Sequence, residues 1–102
     1  MNRDKVLSMI GLATRAGKTA SGGLALEEAV KGGKAFLVVL ADDASDRTKK
    51  DVRNMCEFRS VKLMTYGTKE QLGMACGKEY RSGVAITDEE LAKAITKAFE
   101  DR

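Results

Sequence analysis

Residues 35–41 form an unbroken apolar run, Ala-Phe-Leu-Val-Val-Leu-Ala, in a chain that contains no proline. The run is short, contains β-branched residues, and lies between two glycines, Gly32 and Gly33, and two acidic residues, Asp42 and Asp43. Such a run is typical of a strand that is buried on both faces. Because both faces then need apolar partners, the run favours a layered fold in which helices cover a sheet.

The rest of the chain alternates between helical and strand patterns. Further strands are predicted at residues 19–21, 61–66 and 84–86. Most of the predicted helices have apolar residues at helical spacing: Val6, Ile10 and Ala13 in the first, Leu24, Leu26, Ala29 and Val30 in the second, Val52, Met55 and Cys56 in the third, and Leu91, Ile95, Ala98 and Phe99 in the last. The order α–β–α–β–α–β–α–β–α implies a central parallel or mixed sheet with helices on both faces.

Polar residues and glycines mark where these helices begin and end. Gly17 is predicted to end the first helix, and Gly77 the fourth. Residues 42–45 supply turn and cap side chains for the third helix. Residues 68–71, Thr-Lys-Glu-Gln, and residues 87–90, Thr-Asp-Glu-Glu, both have the pattern of a capping box, so a helix is predicted to begin at each.

The composition is that of one globular domain, residues 1–102, with 43% apolar and 32% charged residues and no linker or low-complexity segment. The net charge of +3 is too small to identify a partner. Its distribution is more informative, because residues 88–102 hold five acids and three bases, which leaves 15 bases and 10 acids in residues 1–87. A mildly basic body is compatible with RNA binding.

Histidine is absent, and the two cysteines, Cys56 and Cys76, stand twenty positions apart with no Cys-x-x-Cys pair. This pattern argues against a zinc site, a histidine general base and a Ser-His-Asp triad. We expect reduced cysteines that pack in the core, no metal, no cofactor and no enzymatic activity. Residues 1–5 lead into an amphipathic segment rather than a secretion signal, and no apolar run approaches ~20 residues, so a cytoplasmic protein without a membrane partner is expected.

Gly22 and Gly23 follow the first predicted strand and open the second predicted helix. A helix that begins on glycines exposes unpaired backbone N–H groups at the positive end of its dipole, which favours an anion. Ser21 as a cap, and Lys18 one short strand away on the same side, support an anion site, whereas the acids at positions 27 and 28 oppose it. The alternative is a tight turn without a ligand.

The loop 77–83 carries two cations and an aromatic residue between two glycines. Lys78 and Arg81 can reach phosphates, and the ring of Tyr80 offers a face on which an unstacked base can pack. The alternative is a solvated loop with the tyrosine folded back on the core. Taken together, this loop and the two glycines at positions 22 and 23 indicate an anionic, nucleic-acid partner.

Three other patterns have simpler explanations. The segment 11–19 resembles a phosphate-binding loop, but it has five residues instead of four before Gly-Lys-Thr and follows a predicted helix, so nucleotide binding there is disfavoured. The cations at positions 47–53 are interrupted by aspartates, which is typical of a solvated helix face, with a protein-contact surface as the alternative. The acidic pairs at 42–43 and 89–90 fall at helix N-termini, where structural roles are expected.

Five segments carry a resemblance to a known family: residues 12–18, 21–22, 33–35, 41–45 and 72–78. In this order and spacing they resemble the ribosomal protein L7Ae/L30e family, over essentially the whole chain, and in particular its short bacterial members of the YlxQ type. The resemblance implies a three-layer α/β/α sandwich with a central mixed four-stranded sheet. It also implies binding of kink-turn RNA, a sharply bent helix–bulge–helix element with tandem sheared G·A pairs, by residues 22–28 and by the loop 78–82.

The predicted RNA-binding residues are Lys18, Gly22, Gly23, Leu24, Lys78, Tyr80, Arg81 and Ser82. Strong binders of the family carry Gly-x-Asn-Glu-x-x-Lys at the helix start, whereas Leu24, Ala25 and Glu28 occupy those polar positions here. We therefore expect weaker binding, a different RNA, or recognition mainly through backbone shape. The expected partner of this monomer is structured RNA, an rRNA or an mRNA with a kink-turn, with the ribosome as a further partner. The alternative is a protein-interaction module in ribosome assembly or translation.

Overall fold

Five helices alternate with four strands in the computed structural model, which describes residues 4–102. In chain order the elements are α1 (Lys5–Arg15), β1 (Thr19–Ser21), α2 (Gly23–Lys31), β2 (Leu37–Leu40), α3 (Asp46–Phe58), β3 (Lys62–Thr65), α4 (Lys69–Ala75), β4 (Gly83–Ile86) and α5 (Glu89–Glu100). The predicted order is confirmed. Residues 1–3, the start of the segment in which no secretion signal is predicted, lie outside the described residues.

The four strands form one mixed sheet in the order β1-β4-β2-β3. β2 and β3 are parallel, whereas β4 runs antiparallel to both of its neighbours, β1 and β2. The apolar run 35–41 is strand only at residues 37–40, but single backbone hydrogen bonds continue the pairing on either side. Phe36 N donates to Ile86 O over 2.9 Å, and Ala41 N donates to Ser82 O over 2.7 Å.

Helices cover both faces of this sheet. α2 and α3 pack against each other and against the strands, while α1 packs on α4 and α5, which both contact β4. β2 is buried along its whole length, as the apolar run predicted, and so is β4. The three-layer α/β/α sandwich with a central mixed sheet is therefore confirmed. Each helix within residues 4–102 is too short or too polar to span a bilayer.

The two cysteines lie in the core as free thiols, which confirms their predicted packing role. Cys56 points inward from α3, and Cys76 is the C-cap residue of α4. Burial raises the pKa of the Cys56 thiol, so this group stays protonated and unreactive at neutral pH.

The end of α1 explains the segment that resembles a phosphate-binding loop. Gly17 has a φ of +73° and follows the C-cap Ala16. Its N–H donates to Thr14 O over 3.0 Å, and Lys18 N donates to Ala13 O over 2.9 Å, which is the Schellman arrangement. The prediction that Gly17 ends a helix is confirmed. α3 ends in the same way, except that Ser60, with a φ of 56°, takes the place of glycine.

The first turns of the helices confirm one predicted capping box and correct the other. Thr68 and Gln71 exchange both hydrogen bonds of a capping box at the start of α4. The predicted box at residues 87–90 is wrong, because Asp88 is the N-cap of α5 and accepts from Leu91 N over 2.9 Å. Thr87 N donates instead to Lys18 O, so its backbone belongs to the end of the sheet and the helix begins one residue later.

The two ends of the described chain are joined by a cluster of four side chains that we call the terminal clasp: Asp4, Tyr66, Phe99 and Arg102. The hydroxyl of Tyr66 donates to Asp4 Oδ2 over 2.6 Å, and Asp4 also caps α1 by accepting from Leu7 N. The Tyr66 and Phe99 rings meet edge to face, and the Arg102 guanidinium lies 4.1 Å from the Phe99 ring centre. Hydrogen bonding to Asp4, together with burial, raises the pKa of Tyr66.

Candidate nucleic-acid interface

Four loops meet at one edge of the sheet, which we call the loop edge. Because β1, β2 and β3 run in one direction and β4 in the other, the first three end at this edge and β4 begins there. The loop edge therefore collects residues 22–23, 41–45, 66–68 and 78–82. Edges of this kind, where strands lead into helices, are where α/β sheets usually bind ligands.

The start of α2 offers unsatisfied backbone donors at the loop edge. Gly22 is the N-cap with a φ of 92°, and within residues 4–102 no side chain caps this helix. The prediction that Ser21 serves as the cap is wrong, since Ser21 is the last residue of β1. Leu26 N, which donates to Gly22 O over 2.9 Å, makes the first intrahelical bond, so the N–H groups before it point out of the helix.

Arg81 brings the loop before β4 against the start of α2. Its Nε donates to Ser21 Oγ over 3.0 Å, although the two residues are 60 positions apart. Its Nη1 donates to Tyr80 O over 2.9 Å. The guanidinium lies beside Gly22, where a Cβ would be 3.8 Å from Arg81 Cζ. The two segments that the sequence nominated separately therefore share one surface.

Gly73 positions the loop that carries Tyr80 and Arg81. A Cβ at position 73 would lie 2.5 Å from Glu79 O and 2.7 Å from Tyr80 N, so the loop backbone packs directly on α4. Lys78 N donates to Gly73 O over 2.7 Å, which fixes the turn after Gly77. In the sequence, Gly73 entered only as part of the segment 72–78 that resembles the family. The available signal was a glycine in a helix interior, where glycine costs stability unless close packing requires it.

A cleft of about 640 Å³ opens between α2, α3 and this loop. Five predicted site residues line it: Gly22, Gly23, Tyr80, Arg81 and Ser82. α2 also contributes Leu26 and Glu27, which lie within the range 22–28 that the family resemblance implied. The site prediction missed Lys31 of α2 and the α3 residues Thr48, Asp51, Asn54 and Met55. The spacing of the α3 residues indicates one helix face, but which element that face meets depends on tertiary packing.

The structure separates Lys18 from the other predicted residues. Lys18 precedes β1 and Gly22 follows it, so they lie at opposite edges of the sheet, about 13 Å apart along the strand. Lys18 O accepts from Thr87 N, at the far end of β4 from the loop. Lys18 therefore lies outside the loop edge, contrary to the expectation that it shares one side with Gly22.

Leu24, Lys78 and Tyr80 project from the loop edge into solvent. Leu24 is 69% exposed and Tyr80 is 56% exposed, so the tyrosine is not folded back on the core. Lys78 is also exposed but does not line the cleft. An aromatic face and a cation are thus available to a ligand that crosses this edge.

Two acidic residues near the loop edge are engaged within the protein. Asp43 Oδ1 accepts from Lys69 N over 2.8 Å, so it satisfies the first turn of α4, as expected of a structural carboxylate. Glu27 forms an ion pair with Lys31 one helical turn away. Glu28 is exposed and lies just past the middle of α2. The ion pair with Lys31 therefore reduces the repulsion that Glu27 exerts on an approaching phosphate, whereas Glu28 forms no ion pair among residues 4–102.

Comparison with known proteins identifies relatives over nearly the whole chain. The sequence model of the ribosomal protein L7Ae/L30e/S12e/Gadd45 family matches residues 4–96. The chain is 36% identical over 92 residues to the RNA-binding protein YlxQ of Bacillus subtilis (strain 168), which covers 90% of this chain and 92% of that protein. It is 32% identical over 99 residues to the RNA-binding protein YlxQ of Enterococcus faecium, covering 97% and 95% respectively. A solved structure of a protein with unknown function from Bacillus halodurans C superposes with a TM-score of 0.90 at 30% identity, covering 96% of this chain and 99% of that one.

Proposed function

This chain belongs to the ribosomal protein L7Ae/L30e/S12e/Gadd45 family, and from this premise we propose that it is a non-enzymatic RNA-binding protein that recognises kinked, structured RNA. Two relatives that match nearly the whole chain are both named as RNA-binding proteins, which supports RNA as the ligand class. The partner that we propose is an rRNA or an mRNA containing a kink-turn. The protein binds it as a cytoplasmic monomer, through the single domain of residues 1–102.

The observation that carries this proposal is the contact between Arg81 and the start of α2. Arg81 uses one N–H group on Ser21 and one on Tyr80 O, and its remaining N–H groups have no acceptor within residues 4–102. A guanidinium held by two hydrogen bonds is already oriented, so it loses little conformational freedom when its free donors bind a phosphate. The exposed ring of Tyr80 is adjacent in the chain and can accept an unpaired base.

The proposed recognition relies on shape more than on base edges. Leu24 and Ala25 present no polar side-chain atoms at the helix start, so the donors there are backbone N–H groups. Backbone donors can follow a phosphate or a groove whose position depends on how the RNA is bent. Arg81 and Lys78 supply the charge, and Tyr80 supplies the stacking surface.

A titration against two RNAs tests this proposal. One RNA contains a simple kink-turn, and in the other the tandem G·A pairs are replaced by Watson–Crick pairs, with both measured at low and at physiological salt. We expect tighter binding to the kinked RNA at both salt concentrations. Nonspecific attraction to phosphates weakens with salt but is the same for both RNAs, so it cannot produce this difference. Equal and salt-labile binding to both RNAs would contradict kink recognition and would favour a protein-interaction module.

A pair of charge-reversed variants locates the site. Lys78→Glu combined with Arg81→Glu is expected to abolish preference for the kinked RNA, because it removes both loop cations. The matched control is Lys34→Glu combined with Lys62→Glu, which makes the same change of charge at the opposite edge of the sheet, where β2 and β3 begin. If both double variants lose affinity equally, binding follows total charge and the assignment to the loop edge is wrong.

A further inference from the structure

One face of α3 carries an exposed stripe that the proposed site leaves unused. Arg47, Lys50, Asn54 and Phe58, which we call the α3 stripe, are spaced by three, four and four residues and so share one face of the helix. Phe58 is 81% exposed, the highest value for any large apolar side chain within residues 4–102. Asn54 lies at the rim of the cleft that Tyr80 and Arg81 also line.

The charges on the α3 stripe are largely unpaired. The Arg47 side chain is 93% exposed, and its 4.0 Å contact with Asp51 is the kind of surface ion pair that contributes little. Lys50 has no carboxylate within ion-pair distance among residues 4–102. The Arg59 guanidinium lies 5.4 Å from the centre of the Phe58 ring, which leaves the ring flanked by a cation. Two cations at one end of a helix face and an exposed aromatic ring at the other suit a single nucleic-acid strand.

The α3 stripe continues the loop edge in space. α3 begins at Asp46, directly after the loop 41–45, and its 13 residues extend about 20 Å away from that edge. Arg47 therefore lies near the proposed RNA site, and Phe58 lies at the far end of the helix. A strand that leaves Tyr80 and crosses the cleft beside Asn54 meets the stripe along its length.

The composition of the stripe favours RNA over a protein partner. Protein interfaces are organised around a desolvated apolar core of several packed side chains. Phe58 is the single apolar member of the stripe, and its neighbours on that face are charged or polar. Such a surface has no core to desolvate, but it can hold phosphates and one stacked base.

We propose that the α3 stripe binds the single-stranded RNA that flanks the structured element, with Arg47 and Lys50 on phosphates and Phe58 stacked on a base. This inference rests on the proposed function, since the strand reaches the stripe from the loop edge. The chemical class of the ligand is an unpaired ribonucleotide segment of a few residues, bound without base selection because every base has a face that can stack.

Kink-turn RNAs with and without a single-stranded extension test the inference. An extension of about eight nucleotides is placed at the 5′ end in one RNA and at the 3′ end in another. We expect one extension to raise the affinity of the parent protein. Phe58→Ala should then remove about fivefold or more of that gain, while leaving the affinity for the RNA without an extension unchanged. Phe36→Ala, which truncates a partly exposed phenylalanine at the opposite edge of the sheet, is the matched control.

Salt dependence tests the phosphate contacts separately. Arg47→Gln combined with Lys50→Gln should lower the slope of log affinity against log salt by about 1.4 for the extended RNA, and not for the RNA without an extension. Lys49→Gln combined with Arg53→Gln removes the same charge from the other side of the same helix and should leave the slope difference between the two RNAs intact.

The outcomes separate this inference from the function on which it rests. A parent protein that binds the kinked RNA but gains nothing from either extension overturns the inference and leaves the proposed function standing. Phe58→Ala weakening both RNAs equally also overturns it. A parent that binds RNA only through an extension supports the α3 stripe and contradicts kink recognition, whereas no binding to any RNA overturns both.

Discussion

Tyr80 and Arg81 on the loop edge invite comparison with Tyr66 and Arg102 in the terminal clasp, because each pair joins parts of the chain that are far apart in sequence. Arg81 bonds Ser21 across 60 positions, and Tyr66 bonds Asp4 across 62. In the clasp, the Arg102 guanidinium lies over the rings of Phe99 and Tyr66, and its Nε donates to Phe99 O. On the loop edge, the Tyr80 ring is exposed and Arg81 retains donors for a ligand.

The difference teaches that residue type does not decide between a binding site and a structural contact. The tyrosine and arginine of the clasp pack on the same aromatic partner and so stabilise the fold. On the loop edge, Arg81 is oriented by Ser21 Oγ and by Tyr80 O, and the Tyr80 ring remains exposed. A polar group that is held in place and left partly unsatisfied is the one prepared to bind.

The largest combined effect on stability and RNA affinity is expected from Gly73→Ala, which breaks the loop edge without touching the clasp. The new Cβ would meet Glu79 O at 2.5 Å, so either α4 or the loop must move. We expect a loss of about 1–3 kcal/mol in the free energy of unfolding, measured in urea, and about a tenfold loss of RNA affinity. Met74→Ala, at the exposed next position, is the control and should change neither quantity by much. Unaltered RNA binding in Gly73→Ala would show that the loop is not positioned by this contact.

Exchanging the two arginines for alanine should produce opposite results. Arg81→Ala is expected to weaken binding to the kinked RNA by about 1.5–3 kcal/mol, because a charged hydrogen-bond donor to phosphate is lost, with little effect on stability. Arg102→Ala should lower stability by about 0.5–1 kcal/mol through the lost stacking and leave RNA affinity unchanged. RNA titration and urea unfolding of both variants measure the contrast. A loss of RNA affinity in Arg102→Ala would remove the distinction between the two pairs.

Tyr66→Phe is expected to lower the free energy of unfolding by about 1 kcal/mol at neutral pH, since it deletes the hydrogen bond to Asp4. RNA affinity should not change. If the parent protein and Tyr66→Phe are equally stable in thermal and urea unfolding, the hydroxyl contributes nothing to stability. The clasp would then depend on its aromatic contacts alone.

The same variant gives a test in pH. The pKa of Tyr66 is raised in the folded protein, first by the hydrogen bond to Asp4 and then by burial, so the folded state holds this proton more tightly than the unfolded state. The stabilisation is fully present below the unfolded pKa of about 10 and is lost as the pH rises through the folded value. The parent should therefore lose more stability than Tyr66→Phe between pH 9 and pH 12 in denaturant titrations. Parallel pH profiles would contradict the raised pKa.

The smallest effect is expected from Ser60, which lies outside both regions. Ser60 has a φ of 56° where the other Schellman ends carry glycine, so Ser60→Gly should raise the free energy of unfolding by about 0.5–1 kcal/mol. Ser60→Ala should lower it, because alanine keeps the Cβ and loses the hydroxyl. RNA affinity should stay constant in both. If the two substitutions change stability in the same direction, the strained φ is not what limits this helix end.

Local features of this fold could be predicted from sequence because they depend on near neighbours. The alternation of elements, the helix end at Gly17 and the capping box at Thr68 each involve residues within a few positions of one another. The capping box predicted at residues 87–90 was wrong because local sequence could not decide between Thr87 and Asp88, which are both good N-cap residues. Only the backbone hydrogen bond from Thr87 to Lys18, made across the sheet, distinguishes them.

The candidate site could be predicted only in the short segments whose own composition marks them. The loop 78–82 and the pair Gly22 and Gly23 were found from composition, but their contact through Ser21 required the register of β1 on β4. The same strand pairing places Lys18, which precedes β1, at the opposite edge of the sheet from Gly22. The contributions of Thr48, Asp51 and Asn54 depend on how α3 packs on α2, which no local pattern encodes.

The strand order has a consequence for when the loop edge forms during synthesis. β1 is paired with β4, and Arg81, the residue that reaches back to Ser21, comes shortly before β4. A chain growing from its N-terminus therefore carries α2 for about 60 residues of synthesis before the partner of β1 exists. The RNA site that we propose at the loop edge therefore forms only after β4 has been synthesised, and a product truncated before β4 would lack it.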